Sequence, residues 1–250
     1  MVASKSALVT GGGSGIGEAT ATLLAIEGAR VAVVDRDGDA ATRVATAIQE
    51  AGGTSIALEV DVTDQTAVTA MVDTVVGAFG RLDIAHNNAG ISGTPSTFVD
   101  LPAEAWHRML SVNLTGVFFC MQAELRVMVA QHSGSIVNTS SVAGVTAVPA
   151  LPHYAAAKHG VLGLTKSAAR EYAKAGIRIN AVLPGFIRTP MTEAILSSSP
   201  DMERMMNRTV GRGVAGAPSE VAETVVWLSS DRASLVCGES VIVDGGTACR

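Results

Sequence analysis

Tyr154 and Lys158 stand four residues apart in an Ala-rich, helix-forming stretch, so their side chains share one helix face. A phenol with a pKa near ~10 is almost wholly protonated at neutral pH. A close ammonium favours the phenolate and lowers that pKa. Such a pair can exchange a proton with a carbonyl or carbinol oxygen. The same spacing also describes an ordinary pair on a helix face, so it decides nothing alone. A second stretch with chemical content is Thr10-Gly11-Gly12-Gly13-Ser14-Gly15-Ile16-Gly17. Glycines let backbone approach a diphosphate closely, and the free N–H groups of a helix start attract its charge. The spacing of Gly11, Gly15 and Gly17 differs from GxGxxG, and no Gly-Lys-Ser/Thr follows as in a Walker loop. Asp35 closes the run RVAVVD, where an acid can hydrogen-bond an adenosine ribose. An acid there repels a 2′-phosphate, which favours NAD over NADP. Arg36 pulls the other way, while Ser14 is neutral where a basic residue would help NADP. Asp35 also has the position of a cap for the next helix.

The rest of the chain alternates short β-branched runs with longer Ala-rich stretches of helical period. The runs predict strands at Ala7–Thr10, Arg30–Asp35, Ser55–Val60, Ile84–Asn87, Ser135–Thr139, Arg178–Val182 and Ser240–Val243. The periodic stretches predict helices at Ile16–Glu27, Ala40–Ala51, Gln65–Phe79, Ala103–Ser111, Leu114–His132, Tyr154–Ala175 and Ser219–Ser229. Strands separated by helices imply right-handed βαβ units and a sheet buried on both faces. The expected fold class is therefore α/β: a Rossmann-type doubly wound, seven-stranded, mostly parallel sheet with helices on both faces. Its site belongs at the carboxyl ends of the strands, where the strand order reverses. No linker composition divides residues 1–250, so one catalytic domain is expected. The Met-rich stretch 189–216 reads as a lid over the substrate.

The 250 residues are 48% hydrophobic and 16% charged, enough for a large core and too little charge for wholesale disorder. Eighteen basic against 23 acidic residues give a net charge of −5, which argues against a nucleic-acid partner. Cys120, Cys237 and Cys249 form no pattern, so they read as reduced thiols in a cytoplasmic protein. No cluster has metal-ligand spacing, and no G-x-S-x-G elbow is present. No apolar run approaches the ~20 residues of a membrane span, and the first strand begins too early for a signal peptide.

TGGGSGIG, Asn87-Asn88-Ala89-Gly90, Asn113, Ser141, Tyr154-Ala155-Ala156-Ala157-Lys158 and Pro184-Gly185 occur in one order. In that order and spacing the chain resembles the short-chain dehydrogenases/reductases, over residues 5–247. The resemblance implies Tyr154 as general acid/base and Lys158 as the partner that lowers its pKa and holds the nicotinamide ribose. It implies Ser141 as the group that positions the substrate oxygen, and Asn113 as holder of a water in a proton relay. It carries Gly11, Ser14, Gly15, Ile16, Gly17 and Asp35 to the diphosphate and adenosine ribose. Asp61 and Val62 match an adenine pocket, and Asn88, Ala89 and Gly90 the length of the cofactor. Pro184, Gly185, Ile187 and Thr189 match the loop holding the carboxamide, and Asn87 a brace of the central sheet.

The implied reaction is hydride transfer between NAD(H) and a secondary alcohol or ketone. The alternative is a 3-oxoacyl-carrier-protein reductase, which needs a basic docking face. Between Glu124 and His132 the chain offers only Arg126. Met191, Ile195, Leu196, Met202, Met205 and Met206, with Val148–Leu151, would form an apolar, adaptable pocket wall for a neutral small molecule. Alternatively the Met residues pack the lid onto the body. Arg188 is the cation that could turn inward. The resemblance also implies a homotetramer, built through Leu114–His132, Tyr154–Ala175 and Ser240–Gly246.

Overall fold

Seven strands pair in parallel in the order β3-β2-β1-β4-β5-β6-β7 in the computed structural model, which describes residues 1–196, 204 and 207–249. They are β1 (Ser6–Thr10), β2 (Arg30–Asp35), β3 (Thr54–Glu59), β4 (Ile84–Asn87), β5 (Gly134–Thr139), β6 (Ile177–Pro184) and β7 (Ser240–Val243). The α-helices that accompany them include α1 (Gly15–Ile26), α2 (Gly38–Glu50), α3 (Gln65–Phe79), α4 (Ala103–Leu110), α5 (Gly116–Gln131), α6 (Pro152–Tyr172), α7 (Pro190–Leu196) and α8 (Pro218–Ser229).

Strand side chains alternate between faces, and both faces are apolar. Leu8, Ala32, Val34, Ala85 and Ile136 pack with α3, α5 and α6. Val9, Val31, Val33 and Ile84 pack with α1 and α2 on the other side. α8 covers Val137 and Val182 on β5 and β6. The order reverses at β1, where Thr10 pairs with Val34 on one side and Asn87 on the other. A crevice opens at such a reversal because the flanking connections leave toward opposite faces.

Local chemistry sets the element ends. Asp64 caps α3 by accepting from the Thr66 and Ala67 N–H groups. Gly80 stops that helix at φ 81°, a conformation that favours glycine. Pro152 opens α6 in the first turn, where its missing N–H costs nothing.

Two expectations are corrected. The helices expected at Ala103–Ser111 and Leu114–His132 are one continuous rod, joined by a π-helical turn at Ser111–Thr115. β6 runs Ile177–Pro184, longer than the expected Arg178–Val182, because its ladder with β5 already begins at Ile177 and its ladder with β7 continues to Pro184. The rod Ala103–Gln131 has the length and apolarity of a membrane span, but half of its most apolar window is buried inside the protein.

Candidate active site

The carboxyl ends of the strands border a cleft of about 750 Å3. Every residue expected at the site lines it except Gly17 and Asn113.

At one end the loop after β1 turns under the cleft. Gly11 has φ +62°, and a Cβ there would lie 2.9 Å from the Ala89 backbone. Gly15, at φ +55°, faces Thr189 across the cleft mouth. Gly17 lies beneath: its Cβ would fall 2.0 Å from the Gly11 carbonyl oxygen. It therefore seats α1 on the loop instead of lining the cleft. Ser14 occupies the N-cap of α1 without a side-chain capping bond, so the amides of that helix start have no side chain closing them off. Asn88 steadies the loop, donating from Nδ2 to the Thr10 and Gly11 carbonyls at 3.2 Å each.

Asp35 accepts from the Gly13 N–H at 3.0 Å and from the Asp37 N–H at 3.1 Å. Asp37, not Asp35, caps α2, accepting from the Ala40 N–H at 3.0 Å. The capping alternative for Asp35 is thereby removed, and its carboxylate lines the cleft wall. Asp61 accepts from the Thr63 N–H and hydroxyl, at 2.9 and 2.8 Å. Those two bonds hold its carboxyl below the usual range, with Arg36 and Arg108 adding to the effect. A glycine cradle, an unobstructed helix start and an acid at the end of β2 fit a dinucleotide. They would hold its diphosphate and adenosine ribose, and the bound group would supply a hydride acceptor or donor.

At the other end stand Ser141, Tyr154 and Lys158. Lys158 is buried, and its Nζ donates to the Thr139 carbonyl at 2.8 Å. It lies 5.7 Å from the centre of the Tyr154 ring. Burial lowers its pKa to about 8. Burial raises the Tyr154 pKa, and the Ser141 hydroxyl opposes that rise. The ammonium is anchored on Thr139, and Ser141 is the group that favours the phenolate. Ser141 itself accepts from the Ala143 N–H at 3.1 Å, which orients its hydroxyl.

Asn113 sits in the π-helical turn, fully buried. Its Oδ1 accepts from the Ile91 N–H and its Nδ2 donates to the Ile91 carbonyl, both at 2.8 Å. Its side chain thus clasps the loop after β4, and both of its polar groups are engaged there. His153 is buried against Gly93 and His159 bonds the Ala155 carbonyl, so neither faces the cleft.

Sequence reasoning missed several wall residues. Thr139 has no motif signature, yet its carbonyl holds Lys158. His107 and Arg108 of α4 reach the cleft from a helix assigned no role. Thr192 accepts from the Thr189 N–H and donates to the Ile187 carbonyl, folding the loop that leads into α7. Met191 lines the cleft, whereas Val148–Leu151 do not. Arg188 pairs with Glu193 at 3.1 Å, outside the cleft. Met202, Met205 and Met206, and the side chains of Ile195 and Leu196, lie outside the described residues.

The chain matches, over residues 11–248, the family described as enoyl-(acyl carrier protein) reductase. It is 44% identical over 241 residues to cyclohexanol dehydrogenase of Acinetobacter sp. (strain SE19), covering 96% of this chain and 94% of that one. The crystal structure of levodione reductase superposes with a TM-score of 0.96 at 37% identity, covering 100% and 99% of the two chains. The chain belongs to the short-chain dehydrogenase/reductase family. This short-chain dehydrogenase is thus an oxidoreductase of the nicotinamide-dependent kind. It is also 41% identical over 247 residues to the 3-oxoacyl-(acyl-carrier-protein) reductase FabG of Staphylococcus aureus (strain Mu50 / ATCC 700699), covering 98% and 99%.

Proposed function

We propose that this short-chain dehydrogenase is an NAD-dependent secondary-alcohol dehydrogenase. One observation carries the reading: Ser141, Tyr154 and Lys158 open into the same cleft as the glycine loop and Asp35. Tyr154 gives or takes the proton at the substrate oxygen. Ser141 orients that oxygen and favours the phenolate. Lys158 holds its charge beside the phenol and reaches the nicotinamide ribose. Asp35 supports NAD over NADP, since its carboxylate is already fixed by two backbone N–H groups.

Neutral alicyclic or other apolar ketones and alcohols are the proposed substrates. Met191 and Ile187 at the cleft wall and the exclusion of Arg188 support this, as does the likeness to cyclohexanol dehydrogenase. The reading at 189–216 is a lid. Its two ends are joined by a bridge between Ile187 and Gly216, so the excursion leaves and returns at one point of the rim. We further propose a cytoplasmic homotetramer. The free thiols of Cys120, Cys237 and Cys249 suit a reducing compartment, and α5 with α6 exposes a shallow apolar face at Phe118 and Leu164. Light scattering should give a particle four times the 25.5 kDa chain. A 25.5 kDa particle at micromolar concentration would remove the tetramer.

The rival reading, reduction of a carrier-bound 3-oxoacyl chain, rests on the likeness to FabG. The deciding measurement compares kcat/KM for cyclohexanone and a 3-oxoacyl thioester with both cofactors. The ketone should win with NADH. A hundredfold preference for the thioester, about 2.7 kcal/mol of transition-state binding, would install the rival.

A further inference from the structure

Behind the cofactor loop, four buried polar side chains from four elements are linked. Asn87 of β4 donates from Nδ2 to Glu124 Oε2 of α5 at 3.0 Å, and to Asn138 Oδ1 of β5 at 3.0 Å. Asn138 donates from Nδ2 to Thr165 Oγ1 of α6 at 2.9 Å. The exposure of all four is between 0% and 2%. Both donor hydrogens of Asn87 are therefore spent. Two buried oxygens in this group have no partner, Glu124 Oε1 and Asn87 Oδ1. They belong to the same hydrogen-bonded pair. With Glu124 ionised both are acceptors, and neither can satisfy the other. Buried polar atoms are rarely left so, and a buried charge less often still.

One proton resolves both vacancies. We propose that Glu124 is retained as a neutral carboxylic acid that closes a ring of two hydrogen bonds with Asn87. Asn87 Nδ2–H donates to Oε2, and Glu124 Oε1–H donates to Asn87 Oδ1. No bond is made or broken beyond the proton already on the acid. The surroundings agree. Burial pushes the Glu124 carboxyl up to about 8, and the hydrogen bond from Asn87 is the only influence opposing it. Cys120, one turn earlier on α5, is the titratable group coupled to it, and burial pushes that thiol well above its ordinary value. β4 presents Asn87, β5 Asn138 and α6 Thr165, none of them ionisable. α3 brings Val68, Met71 and Val72 to the same core.

The ring braces two strand ends that matter. Asn87 adjoins Asn88, which steadies the glycine loop. Asn138 adjoins Thr139, whose carbonyl holds Lys158. Glu124 is thus a positioning residue, and this last step rests on the dehydrogenase reading; the proton itself does not.

The test uses the intact protein with 13C-labelled glutamate carboxyls. At pH 7 infrared spectra should contain one isotope-shifted band of a protonated carboxylic acid, which fades as pH rises through about 8. Glu124→Gln should remove the band, because its Nε2–H reproduces the ring without a titratable proton. The folding stability of wild type should fall relative to Glu124→Gln by up to tenfold in the folding constant per pH unit between about 4.5 and about 8, then run parallel. The sign follows from an unfolded chain that has released the proton the folded chain still holds. In turnover, Glu124→Gln should make the alkaline fall of kcat less steep, leaving the part set by Lys158, with KM for NAD unchanged at pH 7. Absence of the acid band in wild type overturns the proposal even if the variant does not fold. Parallel stability curves overturn it as well. A band that behaves as stated in a protein inactive on every alcohol leaves the ring standing and removes the dehydrogenase reading.

Discussion

The Nζ of Lys158 donates to the backbone carbonyl of Thr139 at 2.8 Å. Helix α6 is thereby tied to the end of β5, and an ammonium is held in a buried position at a cost. Its pKa falls to about 8 from an ordinary 10.5. The folded-state value is depressed, so the unfolded chain binds the proton more tightly. The penalty is largest at neutral pH and is relieved as pH rises from about 8 to 10.5. Lys158→Met should therefore raise the folding stability at pH 7 by about 2–3 kcal/mol, the worth of a shift of that size less the lost hydrogen bond. The gain should shrink above pH 8, while turnover and cofactor affinity collapse. Calorimetry across that range checks it, and a variant less stable at pH 7 would contradict it.

Tyr154→Phe should bind NADH as wild type does and lose nearly all turnover. It removes the proton donor and keeps the ring that packs beside Lys158. Fluorescence titration and steady-state kinetics separate the two effects. Turnover within tenfold of wild type, about 1.4 kcal/mol in barrier, would exclude Tyr154 as the acid/base.

Asp35 is fixed by the Gly13 and Asp37 N–H groups, so its replacement should alter selectivity and loop order together. Asp35→Ser should weaken NAD use about tenfold or more and narrow the gap to NADP, as expected for loss of a charge-assisted bond of about 1.5–3 kcal/mol. The ratio of kcat/KM for the two cofactors measures this. A native preference for NADP would mean that Arg36 governs the pocket.

Gly17→Ala should be far more damaging than a surface Gly→Ala change. Its Cβ would lie 2.0 Å from the Gly11 carbonyl oxygen, and that oxygen belongs to backbone. The expected cost is above about 3 kcal/mol, in the range of severe overpacking. Gly77→Ala, where nothing lies within 4 Å, is the control and should stabilise α3 by about 0.5–1 kcal/mol. Equal midpoints in urea for the two variants would refute the packing role of Gly17.

The sequence by itself determined the fold class, the β1 loop, Asp35 and the Tyr154–Lys158 pair. It could do so because each signal is local. Strand burial on both faces writes continuous apolar runs, helices write their period, and four residues of spacing place two side chains on one face. What the sequence could not decide depends on who stands beside whom across the sheet. Gly17 and Asn113 belong to the motifs yet lie off the cleft, because Gly11 and Ile91 come against them from other segments. Spacing set Lys158 beside Tyr154, but not the burial that raises the phenol pKa, the Ser141 hydroxyl that opposes it or the Thr139 carbonyl that anchors the ammonium. The π-helical turn that fuses α4 and α5 has no signature in hydrophobic period. No motif or spacing in the sequence singles out Glu124. Only packing α5 against β4 and β5 removes its water and sets it opposite Asn87, where an uncharged carboxyl satisfies both.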